Sequence, residues 1–440
     1  MADTPEPNFR RYDPHQNLLL PPNLDEWLPE GHLARFIGEL VDHKIDLTPF
    51  TQGYDNADGG RLAFHPALLL KLWLYGYCVG IPSSRKVARA TFDDLAFRWL
   101  ATDQHPTYST LSRFRERNLA NFHTLFLRVL QLCQEAGLVG GTRMALDGTK
   151  VKASASKHQA MSHGRMLEKE KQLDEELRKS IEEYFRKVAE NDAEEDRKFG
   201  KGNNPYLGDP TIKSKKDRLE RIRKAEQALE ERERQKAKVE GREAAPIDPK
   251  TQYNFTDPDS RIMPDGANRG SFVQAYNCQA MVDEKTQIIV AAEATQAPQD
   301  QRQLVPMTER TIRNVGFVPK EVDADAGFFS EAAIRAVEAL GVDVYCPPER
   351  GKTAERAACP RGRPPRTETF VQRMRRKVRS EKGRAHYGHR KYVVEPVFGQ
   401  IKQGRGLRQF LLRGFAKVGG EWKLWSLTHN LRKLYAAGAT

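Results

Sequence analysis

A long charge-dense stretch in the middle of the chain limits how the rest can fold. Within residues 161–245 two runs, MLEKEKQLDEELRKSIEEYFRKVAEN and SKKDRLERIRKAEQALEERERQKAKVE, place Glu and Lys or Arg about four residues apart, with few Leu or Ile. This spacing favours two solvated helices whose successive turns carry opposite charges. Because so polar a stretch cannot fill a core, we expect a thin antiparallel hairpin or coiled-coil arm, inserted between segments that build the core together.

The segment before this insertion has the apolar spacing of helices. The runs HPALLLKLWLYGYCVG, SRKVARATFDDLAFRWL and TYSTLSRFRERNLANFHTLFLRVLQLCQEAG each predict one helix, and Ser83 or Ser84 is a possible N-cap of the second. We therefore expect residues 1–137 to form a helical domain that binds DNA through two helices joined by a short turn. The cations expected to be exposed there are Arg85, Lys86, Arg89, Arg113, Arg115 and Arg117. The alternative is that these cations lie on solvated faces of a helical bundle.

The remaining segments alternate between strand and helix patterns. GTRMALDGTKVKASAS predicts a strand around Asp147, and AYNCQAMVDEKTQIIVAAEATQ predicts two strands joined by a turn. A helix, the strand EVDADAGFFS, the helix SEAAIRAVEALG and the strand VDVYCPP follow, and helices are expected from Tyr387 onwards. This order predicts an α/β fold around a mixed sheet. Residues 138–160 would give its first strand and residues 246–440 the remainder.

The charge of the chain points to a polyanionic partner. The 440 residues carry a formal net charge of +13, and neutralising phosphates releases counterions. A basic protein without a nucleic-acid role is the less favoured alternative. No apolar run approaches the ~18 residues of a membrane span, and the polar, Pro-containing N-terminal residues lack a signal core, so a cytoplasmic location is expected. The five cysteines are scattered, which indicates neither a disulfide framework nor a zinc site.

Three acids stand in apolar surroundings that make a lone carboxylate costly unless it is paired or binds a cation. Asp147 lies within its strand, Asp325 at the end of another, and Glu395 in VVEPVFGQIK at a helix. Asp323 is an alternative to Asp325, because residues two apart in a strand share a face. Carboxylates suit Mg²⁺ or Mn²⁺. Two such ions, about 3.5–4 Å apart, can serve in-line attack on a phosphodiester.

Several blocks resemble a known family. LDGTKVKASAS, VDADAGFFSE and HRKYVVEPVFGQIKQGRGLRQFLLRG are similar to the three signature blocks of bacterial insertion-sequence transposases, close to the insertion sequence 1182-like family. TDPDSRIM with YNCQAMVDEKTQIIVAAEATQAPQDQRQL resembles the middle block of that family, and EWKLWSLTHNLRKL its terminal helix. The helical region at about 16–135 resembles its InsH-type N-terminal domain. The blocks stand in the family's order and cover most of the chain.

The resemblance implies an RNase H-like catalytic core in which Asp147, Asp325 and Glu395 bind two metal ions and catalyse cleavage and strand transfer. It also implies double-stranded DNA as partner, at the terminal inverted repeats of the element and at the target, and a homodimer on DNA in the nucleoid. Tyr387, Arg390 and Lys402 fit the family motif around the third acid. The gap from Arg390 to Glu395 is one residue longer than the family's, so Lys391 is an alternative to Arg390.

Further cations are candidates for phosphate contacts. Lys402 follows Glu395 by seven residues, which is two turns along the same face of a regular helix. The densest basic run precedes the third acid, and its members are Arg361, Arg363, Arg366, Arg373, Arg375, Arg376, Lys377 and Arg379. We expect this run to contact DNA and to be disordered without it. A solubilising loop is the alternative.

Three functions remain open on the sequence. The first is a metal-dependent transposase that cuts element ends and joins 3′-OH ends to a target. The second is a non-catalytic DNA-binding protein derived from a transposase, against which the presence of all three acids argues. The third is another RNase H-like nuclease, such as a resolvase, which the N-terminal helical region and the order of the blocks make less suitable.

Overall fold

The computed structural model describes residues 23–52, 54, 63–156, 159–199, 210–265, 270–349 and 367–438. The chain divides into two compact units, one of residues 1–132 with 427–440 and the other of residues 133–426. The sequence assigned residues 246–440 to one α/β domain, whereas residues 427–440 belong to the first unit.

The described part of the first unit is helical. Its helices are α1 (Leu24–Trp27), α2 (Leu33–His43), α3 (Thr48–Thr51), α4 (Pro66–Cys78), α5 (Ser84–Asp93), α6 (Leu95–Leu100), α7 (Tyr108–Arg117) and α8 (Asn121–Glu135). Helix α4 is apolar on nearly every side and almost entirely buried, as expected of a central helix. Gly80 follows it with a φ of 82°, a conformation that favours glycine.

Two helices predicted as continuous are each broken in the structure. Asp94 has extended backbone between α5 and α6, and its carboxylate accepts from the Ala96 and Phe97 amides at 2.9 and 3.1 Å. This cap competes with helix continuation and starts a new axis. The third predicted helix stops at Arg117, and α8 begins at Asn121. Ser83 occupies the N-cap position of α5 without a side-chain hydrogen bond to the helix.

A mixed sheet organises the second unit. Its strands are β1 (Arg143–Lys152), β4 (Arg261–Pro264), β5 (Phe272–Asp283), β6 (Ile289–Thr295), β7 (Glu321–Ala324) and β8 (Asp343–Tyr345). Strand β1 pairs antiparallel with β5 and parallel with β7, which pairs parallel with β8. Strands β4 and β6 pair with successive parts of β5. The predicted α/β layout with a mixed sheet is therefore present, with β1 in its interior.

The charged insertion leaves the sheet after β1 and returns before β4. A short pair of strands, β2 (Ala160–Ser162) and β3 (Gln252–Asn254), joins its two ends. Between them run α9 (His163–Phe199) and α10 (Pro210–Glu240). The apolar contact between the two helices is thin, and its buried members are Met166, Leu173, Leu219, Ile222, Ala225 and Leu229. Salt bridges from Arg223 to Glu170 and Asp174 cross the same contact.

The other helices of this unit follow the strands. They are α11 (Leu304–Val315), α12 (Glu331–Ala339), α13 (Phe370–Arg379), α14 (Glu381–Gly399) and α15 (Phe415–Ala436), of which the last ends in the first unit. A 3₁₀ turn at Ala326–Phe328 follows β7, and a π-helical segment at Gln400–Gly404 follows α14. Helix α14 packs against β1, β5, β7 and β8, so it covers one face of the sheet.

Candidate active site

Two neighbouring parallel strands bring Asp147 and Asp325 to the same level of the sheet. The register of β1 and β7 ends with Leu146 opposite Ala324, and the two acids are the next residue on each chain. Strand β7 stops at this point because Asp325 begins the 3₁₀ turn, where its carboxylate accepts from the Gly327 amide at 2.8 Å. The carboxyl end of β7 therefore sets one acid beside the other.

Asp147 is partly buried and has charged neighbours of both signs. Its Oδ2 accepts from Nη1 of Arg390 at 3.0 Å, and its Oδ1 from the Gly148 amide at 2.8 Å. Burial raises the pKa of Asp147 to about 6, the positive charge of Arg390 opposes this rise, and the negative charge of Asp325 adds to it. The contribution of Asp325 to the raised pKa of Asp147 agrees with the strand register, which makes the two carboxyl groups neighbours.

Asp323 has a different role from Asp325. Its side chain is buried, and its Oδ2 accepts from Nε of Arg143 at 2.8 Å. Burial raises the pKa of Asp323, while the guanidinium of Arg143 opposes the rise. The strand register sets Asp323 opposite Ala145 and Asp325 next to Asp147, so the geometry favours Asp325 as the partner of Asp147.

Glu395 stands apart from this pair. It lies on the exposed side of α14, and within the described part of the chain it makes no hydrogen bond or ion pair. The buried face of α14 instead carries Arg390, Val394 and Val397. The structure thus brings together two of the three predicted acids.

Lys402 lies close to β1. Its Nζ donates to Oγ1 of Thr149 at 3.0 Å and to the Lys150 carbonyl at 3.1 Å. Thr149 is two residues beyond Asp147 and so shares its face of the strand. Burial lowers the pKa of Lys402. The π-helical turn changes the angular relation between Lys402 and Glu395, and the regular two-turn spacing predicted from the sequence does not apply there.

The two alternatives for the motif arginine are separated by the fold. Arg390 is buried at Asp147, and its guanidinium lies 5.6 Å from the ring centre of Tyr387. Lys391 is on the exposed side of the helix. Of the two, Arg390 is the residue that pairs with Asp147.

The basic run before the third acid is a helix whose cations are largely engaged. Thr369 closes a capping box with Gln372 at the start of α13, so residues 370–379 form a helix. Arg375 pairs with Glu349, Arg376 with Glu368, and Lys377 with Asp343. A phosphate would have to compete with these carboxylates. Arg361, Arg363 and Arg366 lie outside the described residues.

The cations of the first unit divide into exposed and buried ones. Arg85, Lys86 and Arg113 are exposed, as predicted. Arg115, predicted to be exposed, is only 4% exposed. Its Nη1 donates to the Tyr77 hydroxyl at 3.0 Å and to the Pro82 carbonyl at 2.9 Å, which makes it a structural residue of the helical core.

Sequence reasoning missed Arg143. Its guanidinium donates to Asp323 at 2.8 Å, to Glu284 at 2.9 Å and to the His386 carbonyl of α14 at 2.6 Å. The residue thereby fastens the helix that carries Arg390 to two strands of the sheet. The sequence position of Arg143 could have indicated this role, because a cation four residues before Asp147 in an apolar strand needs a buried carboxylate partner.

The donor chemistry of the acid pair suits a divalent cation, since both groups offer hard oxygen ligands and Asp147 already faces a positive charge. Among the residues that the structure describes, no group of three or more His, Cys, Asp and Glu side chains is arranged to hold a metal ion. In the same part of the chain, no helix is both long and apolar enough to cross a membrane.

Two family models match the chain. Residues 22–117 match the family described as Transposase domain (DUF772), and residues 213–431 match the family described as Transposase DDE domain. Searches of curated proteins and of solved structures found no match. The second match includes Asp325, Arg390, Glu395 and Lys402, whereas Asp147 precedes it.

Proposed function

We propose, starting from two domain matches that indicate a DDE transposase, that this chain is the transposase of a bacterial insertion sequence of the 1182-like family. It would cut the ends of its element and join them to target DNA. We assign the phosphodiester chemistry to Asp147, Asp325 and Glu395. The observation that carries this assignment is the parallel register of β1 and β7, which sets Asp147 and Asp325 side by side.

The core is proposed to be RNase H-like. In support, β1 is flanked on one side by the antiparallel strand β5 and on the other by the parallel strands β7 and β8. The acids belong to β1 and to the end of β7, where a groove at the strand ends is a common place for ligands. The hairpin of α9 and α10 is inserted between β1 and β4, as the charge spacing of the sequence predicts.

The proposed cofactor is a pair of Mg²⁺ or Mn²⁺ ions held by Asp147, Asp325 and Glu395. When bound, such ions activate a water or a 3′-hydroxyl and stabilise the leaving oxygen. Two residues of the chain supply positive charge next to these acids. Lys402 offers a positive charge along β1 from Asp147, and Arg390 offers one at Asp147 itself. Both can orient a phosphate next to the acids.

The proposed partner is double-stranded DNA, at the terminal inverted repeats and at the target. The net charge of +13 supports a polyanion, and the exposed Arg85, Lys86 and Arg113 are candidate backbone contacts. Tyr387, Lys391 and the helix with Arg375, Arg376 and Lys377 are further candidates. We also propose a homodimer on DNA, because two ends must be held together, and a cytoplasmic location at the nucleoid.

The test uses the genomic DNA on either side of the reading frame as substrate. The full chain with MgCl₂ should nick these fragments and join them to a plasmid. Asp147→Asn, Asp325→Asn and Glu395→Gln should each abolish cleavage but keep DNA binding in a gel-shift assay. Glu331→Gln, at an exposed carboxylate of α12, is the matched control and should cleave normally. Normal cleavage by one of the three acid variants would remove that acid from the assignment.

One observation favours the alternative of a non-catalytic DNA-binding protein derived from a transposase. Glu395 is exposed, and within the described part of the chain it does not join Asp147 and Asp325 in a three-carboxylate group that could hold a metal ion. The same assay separates the two functions. DNA binding without any Mg²⁺- or Mn²⁺-dependent nicking, in the wild type as in the variants, would establish the non-catalytic function.

A further inference from the structure

Arg390 contacts Asp147 directly and lies close enough to Asp325 to interact with its charge. Its Nη1 lies 3.0 Å from Oδ2 of Asp147, and both Asp147 and Asp325 stabilise its charged form. Two neighbouring, partly buried carboxylates repel each other, and a nearby cation offsets that repulsion. A guanidinium keeps its charge in essentially every protein environment, so Arg390 supplies the balancing charge in the protein alone.

The hold on the Arg390 head group is incomplete. The side chain is buried, yet its Nε has no hydrogen-bond partner in the described part of the chain. The head group makes an ion pair with Asp147 and lies against the ring of Tyr387. A buried donor without a partner is costly, which leaves the head group able to gain from a different position.

We propose that Arg390 is an internal stand-in for a divalent cation, so that it holds Asp147 in the metal-free protein and must leave Oδ2 before a metal ion can bind there. The inference rests on the proposed function, in which Asp147 and Asp325 are metal ligands. It adds that the chain carries a competitor for its own metal site. Loading of the metal and release of the guanidinium are then one coupled event.

Competition predicts that removal of Arg390 tightens metal binding. Mn²⁺ binding to the full chain without DNA is measured by titration calorimetry at pH 8. Arg390→Gln should lower the Kd about fivefold or more, since removing a like charge and a competing ion pair is worth at least about 1 kcal/mol. A Kd equal to or higher than that of the wild type would overturn the proposal, as would no binding by either protein.

The control is Arg384→Gln, which removes an exposed cation from the same helix at a point away from the acids. Its Kd should equal that of the wild type. A decrease as large as that of Arg390→Gln would assign the effect to net charge and overturn the proposal. Asp147→Asn distinguishes failure of the proposed metal site from failure of the proposed competition by Arg390. If it binds Mn²⁺ normally, the proposed metal site is wrong; if it loses binding while Arg390→Gln is unchanged, only the competition is wrong.

Arg390→Gln leaves a buried carboxylate unpaired and can lose stability, so melting temperatures in EDTA and in MnCl₂ complete the test. The rise caused by Mn²⁺ should be larger for Arg390→Gln than for the wild type, because binding to the folded state stabilises it by mass action. Arg390→Lys keeps the charge without the planar fork and should give an intermediate Kd. Equal rises in melting temperature, or a Kd for the lysine variant above that of the wild type, would contradict the proposal.

Discussion

Replacing Arg143 by Met should destabilise the second unit severely. The substitution keeps an apolar stem but removes the guanidinium that donates to Asp323, Glu284 and the His386 carbonyl. The Asp323 side chain is only 2% exposed and would be left as a buried charge without a partner. Breaking a buried ion pair on one side costs about 3–5 kcal/mol.

The expected shift follows from the size of the unit. For a domain of this order each 1 kcal/mol lowers the melting temperature by roughly 2–4 °C, so the loss is about 6–20 °C. The assay is a thermal melt of the full chain followed by circular dichroism. Arg335→Gln is the control, because its pair with Glu331 is largely exposed and worth less than about 0.5 kcal/mol.

The stability lost in Arg143→Met should depend on pH. Burial already raises the pKa of Asp323 above its ordinary value of 3.8, and loss of Arg143 raises it further. For an acid whose folded-state pKa is raised, protonation favours the folded state. The deficit of Arg143→Met should therefore be small at low pH and grow as the pH rises through the raised pKa.

The double variant Arg143→Met/Asp323→Asn decides the cause. The amide carries no charge, so most of the lost stability should return. A melting temperature of the single variant within about 2 °C of the wild type would refute the reasoning. So would a double variant no more stable than the single one, because the cost would then not lie in the unpaired carboxylate.

Three further predictions concern other parts of the chain. Cleavage should decline as the pH falls through about 6, because the pKa of Asp147 is raised to about 6 and protonation removes a negatively charged metal ligand. A pH–rate profile that is flat from pH 5 to 8 would contradict this. Gly148→Ala should lower the free energy of unfolding in urea melts by about 1–3 kcal/mol, because its Cβ would lie 2.6 Å from Nε2 of Gln279 and 2.7 Å from Oδ1 of Asp300. The control is Gly419→Ala on α15, whose Cβ meets open space. It should be neutral or stabilising in the same melts. Arg115→Met should destabilise the first unit by about 1.5–3 kcal/mol through loss of hydrogen bonds from a charged group, and calorimetry should show no comparable loss for the exposed Arg113→Gln.

The helix breaks illustrate where local patterns mislead. The run from Ser84 to Leu100 has helical spacing throughout, yet Asp94 interrupts it because its side chain caps the amides of Ala96 and Phe97. The run from Tyr108 likewise stops at Arg117. Apolar periodicity predicts which residues face a core, but the ends of helices depend on short side chains whose alternative hydrogen bonds have little periodic signal.

The order of strand and helix patterns along the sequence was enough to determine the α/β layout, the charged insertion and the position of Asp147 in a strand. They rest on local signals, namely strand alternation, helical spacing and a charge density that excludes a core. The same signals identified Asp325 only together with Asp323, because both share a face of one strand.

Tertiary structure alone decided which charges meet. Asp323 is held by Arg143 and Asp147 by Arg390, across more than a hundred residues of sequence in each case. The same holds for the exposure of Glu395 and the burial of Arg115. Ion pairs between distant segments depend on strand register and on how a helix is rotated against the sheet, and neither quantity is encoded in a local pattern.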